Sequence, residues 1–313
     1  MSALTAALSR VRRREQKAPR PKVSLGETWW RHVVGILAAV AALFPVWFLF
    51  SAAFSREDSV SGTTYLPNHF TLRNFGSILH NHVRDRSSSA YVDSRFLQWL
   101  LNTIIVATIT AICTVILGAL AAYAFSRFRF KGRRMGMLAL LLIQMFPQLL
   151  LVVALYLIVL NTGSIFPVMG LNTYTGLIIV YLGGSLGVNA WLLKGFLDTI
   201  PAELDESARV DGASAAQIFW GVVLPLAAPI LVVVGLISFI STLNEFVIAS
   251  AMMQTTGHFT LPVGMRGFID QQYGQRWGPF AAGTLLAAIP AAALFISLQK
   301  WLVSGLTQGS VKG

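Results

Sequence analysis

Residues 135–193 read MGMLALLLIQMFPQLLLVVALYLIVLNTGSIFPVMGLNTYTGLIIVYLGGSLGVNAWLL, without one charged side chain. Such a run signals a membrane, because an ion placed in hydrocarbon is costly. It is also too long for one crossing, since about 20 helical residues span the bilayer core. Asn161-Thr162-Gly163-Ser164, Pro167, Gly170 and Asn172-Thr173 interrupt it with turn-forming residues. The run therefore divides into two spans.

Four further stretches lack charge: His32 to Ser55, Phe96 to Ser126, Gly212 to Asn244 and Trp277 to Gln299. The total is six spans, expected near 33–54, 99–123, 136–160, 174–196, 223–247 and 279–299. The first is too long for a cleavable signal peptide, and five spans follow it. The expected class is an all-α integral membrane protein. Residues 1–32 form a basic N-terminal tail, 33–299 a six-span transmembrane domain and 300–313 a C-terminal tail.

Composition agrees. Of 313 residues 55% are hydrophobic and 12% charged, about half the charged share of a soluble domain. Mean hydropathy is +0.65. The apolar content excludes disorder, and the single Cys113 excludes a disulfide scaffold. The net charge of +11 has a location. Seventeen Lys and Arg lie on the side that holds both termini, the 127–134 loop and the 194–211 segment, against seven on the other side. That asymmetry places both termini in the cytoplasm. It makes the basic excess a topology signal and an attraction to anionic membrane lipid rather than a nucleic-acid footprint.

On the outer side, residues 56–98 form a long mixed loop, readable as a disordered connection or as a docking surface. Residues 250–277 carry Gly257, Pro262, Gly264 and Gly274. On the inner side, Lys194 to Asp211 is unusual. Asp198, Glu203, Asp205, Glu206 and Asp211 outnumber Lys194 and Arg209. Thr199 as cap, Pro201 in the first turn and acids at the positive helix end predict a short helix over 201–211. Gly212 breaks it, since glycine tolerates positive φ. Residues 213–220 form a second short helix, and Leu224-Pro225 opens the next span.

Glu206-Ser207-Ala208, Asp211-Gly212 and Val222-x-Leu224-Pro225 resemble the EAA loop of permeases of binding-protein-dependent ABC importers. The pattern there is Glu-Ala-Ala, three residues, Gly, nine residues, Ile-x-Leu-Pro; Ser207 and Val222 depart from it. Tyr123-Ala124-Phe125-Ser126-Arg127, Gln144-Met145-Phe146-Pro147, Tyr181-Leu182-Gly183-Gly184, Ser238-Phe239-Ile240 and the C-terminal Gly309-Ser310-Val311-Lys312-Gly313 are similar to the carbohydrate branch. The nearest type is the smaller permease subunit of the maltose/maltodextrin importers. Residues 1–30 are not covered.

The resemblance implies a pathway shared with a second permease subunit of the MalF type. It implies a homodimeric ATPase of the MalK type on the cytoplasmic side and a sugar-binding protein outside. ATP and Mg would be held by that ATPase, because this chain has no Gly-x-x-x-x-Gly-Lys-Ser/Thr loop. No cofactor or metal, and no enzymatic activity, is expected of the chain itself. Glu206, Ser207, Ala208, Asp211, Gly212, Val222, Leu224 and Pro225 would form a cytoplasmic coupling helix and its flank between spans 4 and 5. There Glu206 would pair with a base, Ala208 would permit close approach and Gly212 would set the bend.

Gln308, Gly309, Ser310 and Val311 would contact the ATPase. Thr255, Thr256, Gly257 and His258 are compatible with a small mobile loop, which would meet the binding protein; His258 lacks a second ligand at metal spacing. Pro147, Gly183, Gly184 and Glu245 are gating candidates, Glu245 being the only carboxylate inside an expected span. An ion-coupled secondary transporter, or a membrane receptor or scaffold without transport, are the competing classes. Trehalose and glycerol phosphate compete with maltose or maltodextrin as solute.

Overall fold

A computed structural model describes residues 25–56, 67, 69–80, 82–84, 91–270 and 276–308. It divides into two compact units, 1–48 and 49–313. The described part of the first belongs to α1 (Leu25–Phe54), which continues through Pro45.

The second unit contains the end of α1 and then a short α2 (Arg73–Leu79). An antiparallel ribbon follows, β1 (His82–Arg84) with β2 (Tyr91–Asp93), in which Val83 faces Val92. Next come α3 (Phe96–Arg127), α4 (Arg133–Gln144), α5 (Gln148–Ile165) and α6 (Tyr174–Leu197). A short α7 (Glu203–Val210) precedes α8 (Ala215–Ile218), which runs through a π turn at Phe219–Val223 into α9 (Leu224–Leu243). Then follow α10 (Val247–Met252), α11 (Leu261–Arg266) and α12 (Trp277–Gln308). Apart from the ribbon, the regular structure among the described residues is helical.

Five helical stretches are long and apolar enough to cross a membrane: Trp29–Phe54, Phe96–Arg127, Tyr174–Leu197, Ala215–Leu243 and Trp277–Lys300. The α4–α5 pair makes a sixth if the two count as one span. They are not the single rod expected over 136–160. They meet at 104°. The cause is Pro147, which lacks an N–H and disfavours helical backbone at Phe146. Its own extended ψ of 115° starts α5 in a new direction. By contrast, α9 continues through Pro229 and α12 through Pro290.

Helix α3 is the centre of the second unit, packed on α6 and α9. Small residues allow the approach. A Cβ added at Gly118 would lie 3.3 Å from Leu193 Cδ1. Ala119 and Ala122 are buried in one cluster with Leu193, Leu197, Ile218 and Phe219. At the other end of α3, Phe96 and Trp99 share a cluster with Ala52, Ala53, Ile78, Leu261 and Phe268. Asn74 of α2 is buried and donates to the carbonyls of Ala53 and Ser55, 2.9 Å each. Among the described residues, this part of the 56–98 loop is therefore packed.

Span 5 ends at Leu243, short of the expected 247, because the chain turns at Asn244–Glu245 and restarts as α10. Thr199 is not the cap of α7. Its hydroxyl bonds back to the Phe196 carbonyl, and Ala202 holds the N-cap position without a side-chain bond. The expected second short helix is not separate, since α8 merges into span 5.

Candidate functional site

At one end of α3, α7 is fastened by its inner face and free on its outer face. Asp205 is buried, and its Oδ2 lies 3.0 Å from Arg127 Nε, with side chains 4% and 9% exposed. The N–H is not aligned on the carboxylate, so this is an ion pair at close range rather than a hydrogen bond. Arg127 also donates to the Ile200 carbonyl at 2.9 Å, holding the chain that enters α7. Ala208, one turn beyond Asp205, packs with Ala213 on the Leu193–Phe219 cluster. The close approach expected of Ala208 is thus made to this chain's own core.

The end of α7 explains the spacing of Ala208 and Gly212. Gly212 N donates to Arg209 O at 3.0 Å, and Ala213 N to Ala208 O at 2.9 Å. This is a Schellman closure, which requires left-handed backbone at its C′ residue. Gly212 has φ +84°. Asp211 is the C-cap. Ser214 and Gln217 then form a capping box that opens α8. Val222 and Leu224 pack partly on the same cluster, while Pro225 is exposed at the first turn of α9.

The outer face of α7 carries Glu206, Ser207 and Asp211, all exposed, with Leu204 and with Val210 at 87% exposure. Acids in its first turn suit the positive helix end. Beside it, Asp198 accepts from Lys194 and from Ser126 Oγ. Burial pushes the Asp198 carboxyl up. The hydrogen bonds from Lys194 and Ser126 and the charges of Lys194 and Arg133 outweigh it and hold the carboxyl below its ordinary value.

At the other end of α3, the 252–259 loop is pinned rather than loose. Asn172, at φ +60°, accepts at Oδ1 from Gln254 N (3.0 Å) and Thr255 N (3.1 Å). Its own N–H donates to Met252 O at 2.9 Å. Trp99 Nε1 donates to Thr256 O at 2.7 Å, and Asn102 Nδ2 to Gly257 O and Phe259 O at 3.0 Å each. Thr255, Thr256 and His258 remain exposed at the tip, Gly257 half-buried. His258 Nδ1 lies 2.9 Å from Thr255 Oγ1, and its ring faces Tyr174 at 5.4 Å.

Between these ends lies an open cleft of about 730 Å³ bordered by the α4–α5 bend, α6, α9 and α10. Gly183, Gly184 and Glu245 line it, and Phe146 lines it beside Pro147. Gly183 and Gly184 do not interrupt α6. Gln144 Nε2 donates to Gly184 O at 2.7 Å, tying α4 to α6. Glu245 lies not within a helical span, where the sequence led us to expect it, but in the break before α10. Its carboxylate accepts from Ile248 N (2.8 Å), Ala249 N (3.0 Å) and the Tyr181 hydroxyl (2.6 Å). Gln308 ends α12; Gly309, Ser310 and Val311 lie outside the described residues.

Sequence reasoning missed Arg127, Trp99, Asn102 and Asn172 as holding residues. Arg127 registered as a topology charge and as the end of the Tyr123–Arg127 resemblance, and Asn172 only as a turn residue. No local signal marks their partners, which are far along the chain.

Comparison with known proteins covers most of the molecule. The family model described as binding-protein-dependent transport system inner membrane component matches residues 114–308. The galactooligosaccharides transport system permease protein GanQ of Bacillus subtilis (strain 168) is 38% identical, over 88% of this chain and 92% of its own. The maltose/maltodextrin transport system permease protein MalG is 38% identical in Vibrio vulnificus (strain YJ016), over 91% and 96%. In Escherichia coli (strain K12) it is 36% identical, over 94% and 98%. Among solved structures, a bacterial ABC transporter that imports the acidic polysaccharide alginate matches with TM-score 0.68 at 23% identity, over 90% of this chain and 99% of that one. The methionine ABC transporter MetNI matches with TM-score 0.51 at 19% identity, over 67% and 95%.

Proposed function

Because this chain belongs to the family of binding-protein-dependent transport system inner membrane components, we propose that it is one transmembrane permease subunit of an ATP-driven sugar importer of the bacterial inner membrane. It forms the solute path with a second permease of the MalF type. A homodimeric ATPase of the MalK type docks on α7 and hydrolyses ATP. An extracytoplasmic sugar-binding protein docks at the opposite end, where Thr255 to His258 are exposed. The excess of Lys and Arg near α7 favours placing that end, with both termini, in the cytoplasm. Contact of Gln308, Gly309, Ser310 and Val311 with the ATPase belongs to the same proposal.

One observation carries this reading. An eight-residue helix is clamped to the bundle by Asp205–Arg127 and turns Glu206, Ser207 and Val210 outward. A short rigid element held in this way transmits displacement in place of absorbing it, as a helix seated in a partner's groove requires. Motion of α7 passes directly to α3 through Arg127 and to α9 through the continuous 215–243 helix. Glu206 is the group offered to a base on the ATPase.

Maltose or maltodextrin is the proposed solute, since the MalG relatives cover more than nine-tenths of this chain. A galacto-oligosaccharide is the second reading, favoured by the equal identity to GanQ. The test is ATP-dependent uptake of labelled maltotriose and galactotriose by proteoliposomes holding the full importer. Glu206→Lys and Gly212→Pro are expected to separate ATP hydrolysis from uptake or to block ATPase assembly. Coupled uptake in both variants overturns the coupling role.

A further inference from the structure

The cleft of about 730 Å³ differs from another large groove among the described residues of the second unit. That groove, about 640 Å³ between α3, α9 and α12, is almost wholly apolar, with Thr108 and Ser297 its only polar side chains. It has the chemistry of a lipid-facing furrow. The cleft instead collects Gln144, Asn189, Ser238, Ser241, Thr242 and Glu245 from three sides.

Ser238 is the informative member. It is 4% exposed, it lines the cleft, and its Oγ has no hydrogen-bond partner. A helical serine can satisfy itself on a carbonyl one turn back; this one does not. A buried hydroxyl without a partner is unfavourable unless something visiting the site completes it. Opposite, a Cβ added at Gly183 or Gly184 would meet nothing within 4 Å, so a ring can approach the α6 backbone there. Phe146 supplies an exposed aromatic ring at the bend.

The charge of the cleft is one-sided. Among its lining residues there is one carboxylate, Glu245, and no Lys, Arg or His. Glu245 accepts three hydrogen bonds but meets no cation in the cleft. In a setting of lowered dielectric, a like charge is repelled strongly.

We infer that this cleft is a saccharide subsite on this subunit, selective for uncharged, hydroxyl-rich sugars and closed to uronates and sugar phosphates. Ser238, Ser241 and Thr242 pair with sugar hydroxyls from α9, and Asn189 does so from α6. Phe146 faces the apolar side of the ring, and Glu245 accepts from hydroxyls and repels anions. This rests on the importer reading above and narrows the solute within it.

The test uses the importer purified with its partner permease and ATPase. A photoactivatable maltotriose and its glucuronate-ended counterpart are added directly in the ATP-free state, so that the binding protein does not pre-select. The neutral probe is expected to label residues 238–245. The uronate is expected to label about tenfold less, rising about fivefold or more in Glu245→Gln, because removing one like charge relieves the repulsion. In proteoliposomes, Ser238→Ala or Thr242→Val lowers maltotriose uptake about threefold or more, the worth of one hydrogen bond, while ATP hydrolysis continues. Thr108→Val, in the apolar groove, leaves uptake unchanged.

Neutral-probe labelling that misses the cleft, equal labelling by both probes, or unchanged uptake in both α9 variants overturns the subsite while leaving the importer reading intact. Absence of any ATP-driven oligosaccharide uptake by the unmodified importer overturns the importer reading itself, and the subsite with it.

Discussion

Arg127 and Asp205, 78 positions apart in sequence, lie side by side in the structure with Nε and Oδ2 3.0 Å apart. Both are largely buried, so the pair behaves as an internal fastening and not as a surface ion pair. Removing one partner strands the other charge, at a cost of about 3–5 kcal/mol. Arg127→Met or Asp205→Asn is therefore expected to lower the melting temperature of the assembled importer and loosen α7. The double variant Arg127→Met, Asp205→Leu should recover most of the stability, since apolar replacement of a buried pair is often neutral. Thermal unfolding of the single and double variants measures this; a double variant as unstable as the sum of the singles refutes it.

Gly212 sits at φ +84° with open space around it, so a side chain there meets only backbone strain. Gly212→Ala should cost about 1–2 kcal/mol, the penalty for left-handed backbone in an L-residue. Gly212→Asn should cost less, because asparagine tolerates this region. Thermal stability ranks the three. Equal values for Ala and Gly would show that the turn has another backbone solution.

Gly264 has the opposite problem. A Cβ built on it would lie 2.2 Å from the Trp99 ring. Gly264→Ala is expected to displace Trp99, break its bond to the Thr256 carbonyl and destabilise by about 1–3 kcal/mol, as overpacking does. Faster hydrogen exchange at residues 255–258 reports the displacement. Unchanged exchange would mean the indole moves without releasing the loop.

Asn172 both adopts φ +60° and accepts two backbone N–H bonds from Gln254 and Thr255. The two roles separate by substitution. Asn172→Gly keeps the backbone freedom and loses the acceptor, whereas Asn172→Asp keeps the acceptor. Loss of two bonds is worth about 1–3 kcal/mol at most, less for exposed groups. The prediction is faster exchange at Gln254 and Thr255 in Asn172→Gly and near-native exchange in Asn172→Asp. The reverse order defeats the assignment.

Asp198 gives a pH dependence with a fixed sign. Its carboxyl lies below the ordinary value in the folded chain, because Lys194 and Ser126 outweigh burial. Folding is therefore favoured above the unfolded value, about 3.9, and that contribution is lost as pH falls through the lower folded value. The group is partly exposed, so solvent screening keeps the effect small. Between pH 6 and pH 3, Asp198→Asn should flatten the decline in melting temperature. An unchanged slope would show that other carboxylates carry it.

The legible and the hidden parts of this molecule separate by the range of the interaction involved. Gly212 was readable because its constraint is local: a helix must end, and left-handed backbone selects glycine. The six apolar stretches were readable because missing charge needs no knowledge of partners. Pro147 announced a disturbance, but a proline kinks or breaks a helix according to what its neighbours permit, so the 104° bend was not readable. Glu245 looked like an ion inside a span because no Gly or Pro marks the break at Asn244. The carboxylate itself, accepting from Ile248 and Ala249, makes the turn. Arg127, Asn102 and Trp99 were invisible as fasteners, because each meets a partner supplied by a fold not yet formed.

The π turn at Phe219–Val223 holds one residue more than the α-helix on either side needs. Each residue added to or taken from a helix rotates the remainder of that helix by about 100°. Deleting one residue, such as Gly221, would regularise the helix yet turn Ile218, now fully buried, out of the cluster that receives α7. The interval from Gly212 to Leu224 is thus a fixed length. Within it substitutions are tolerated according to size and polarity, but insertions and deletions are not, and the segment works as a ruler that keeps the outer helix in phase with the span behind it.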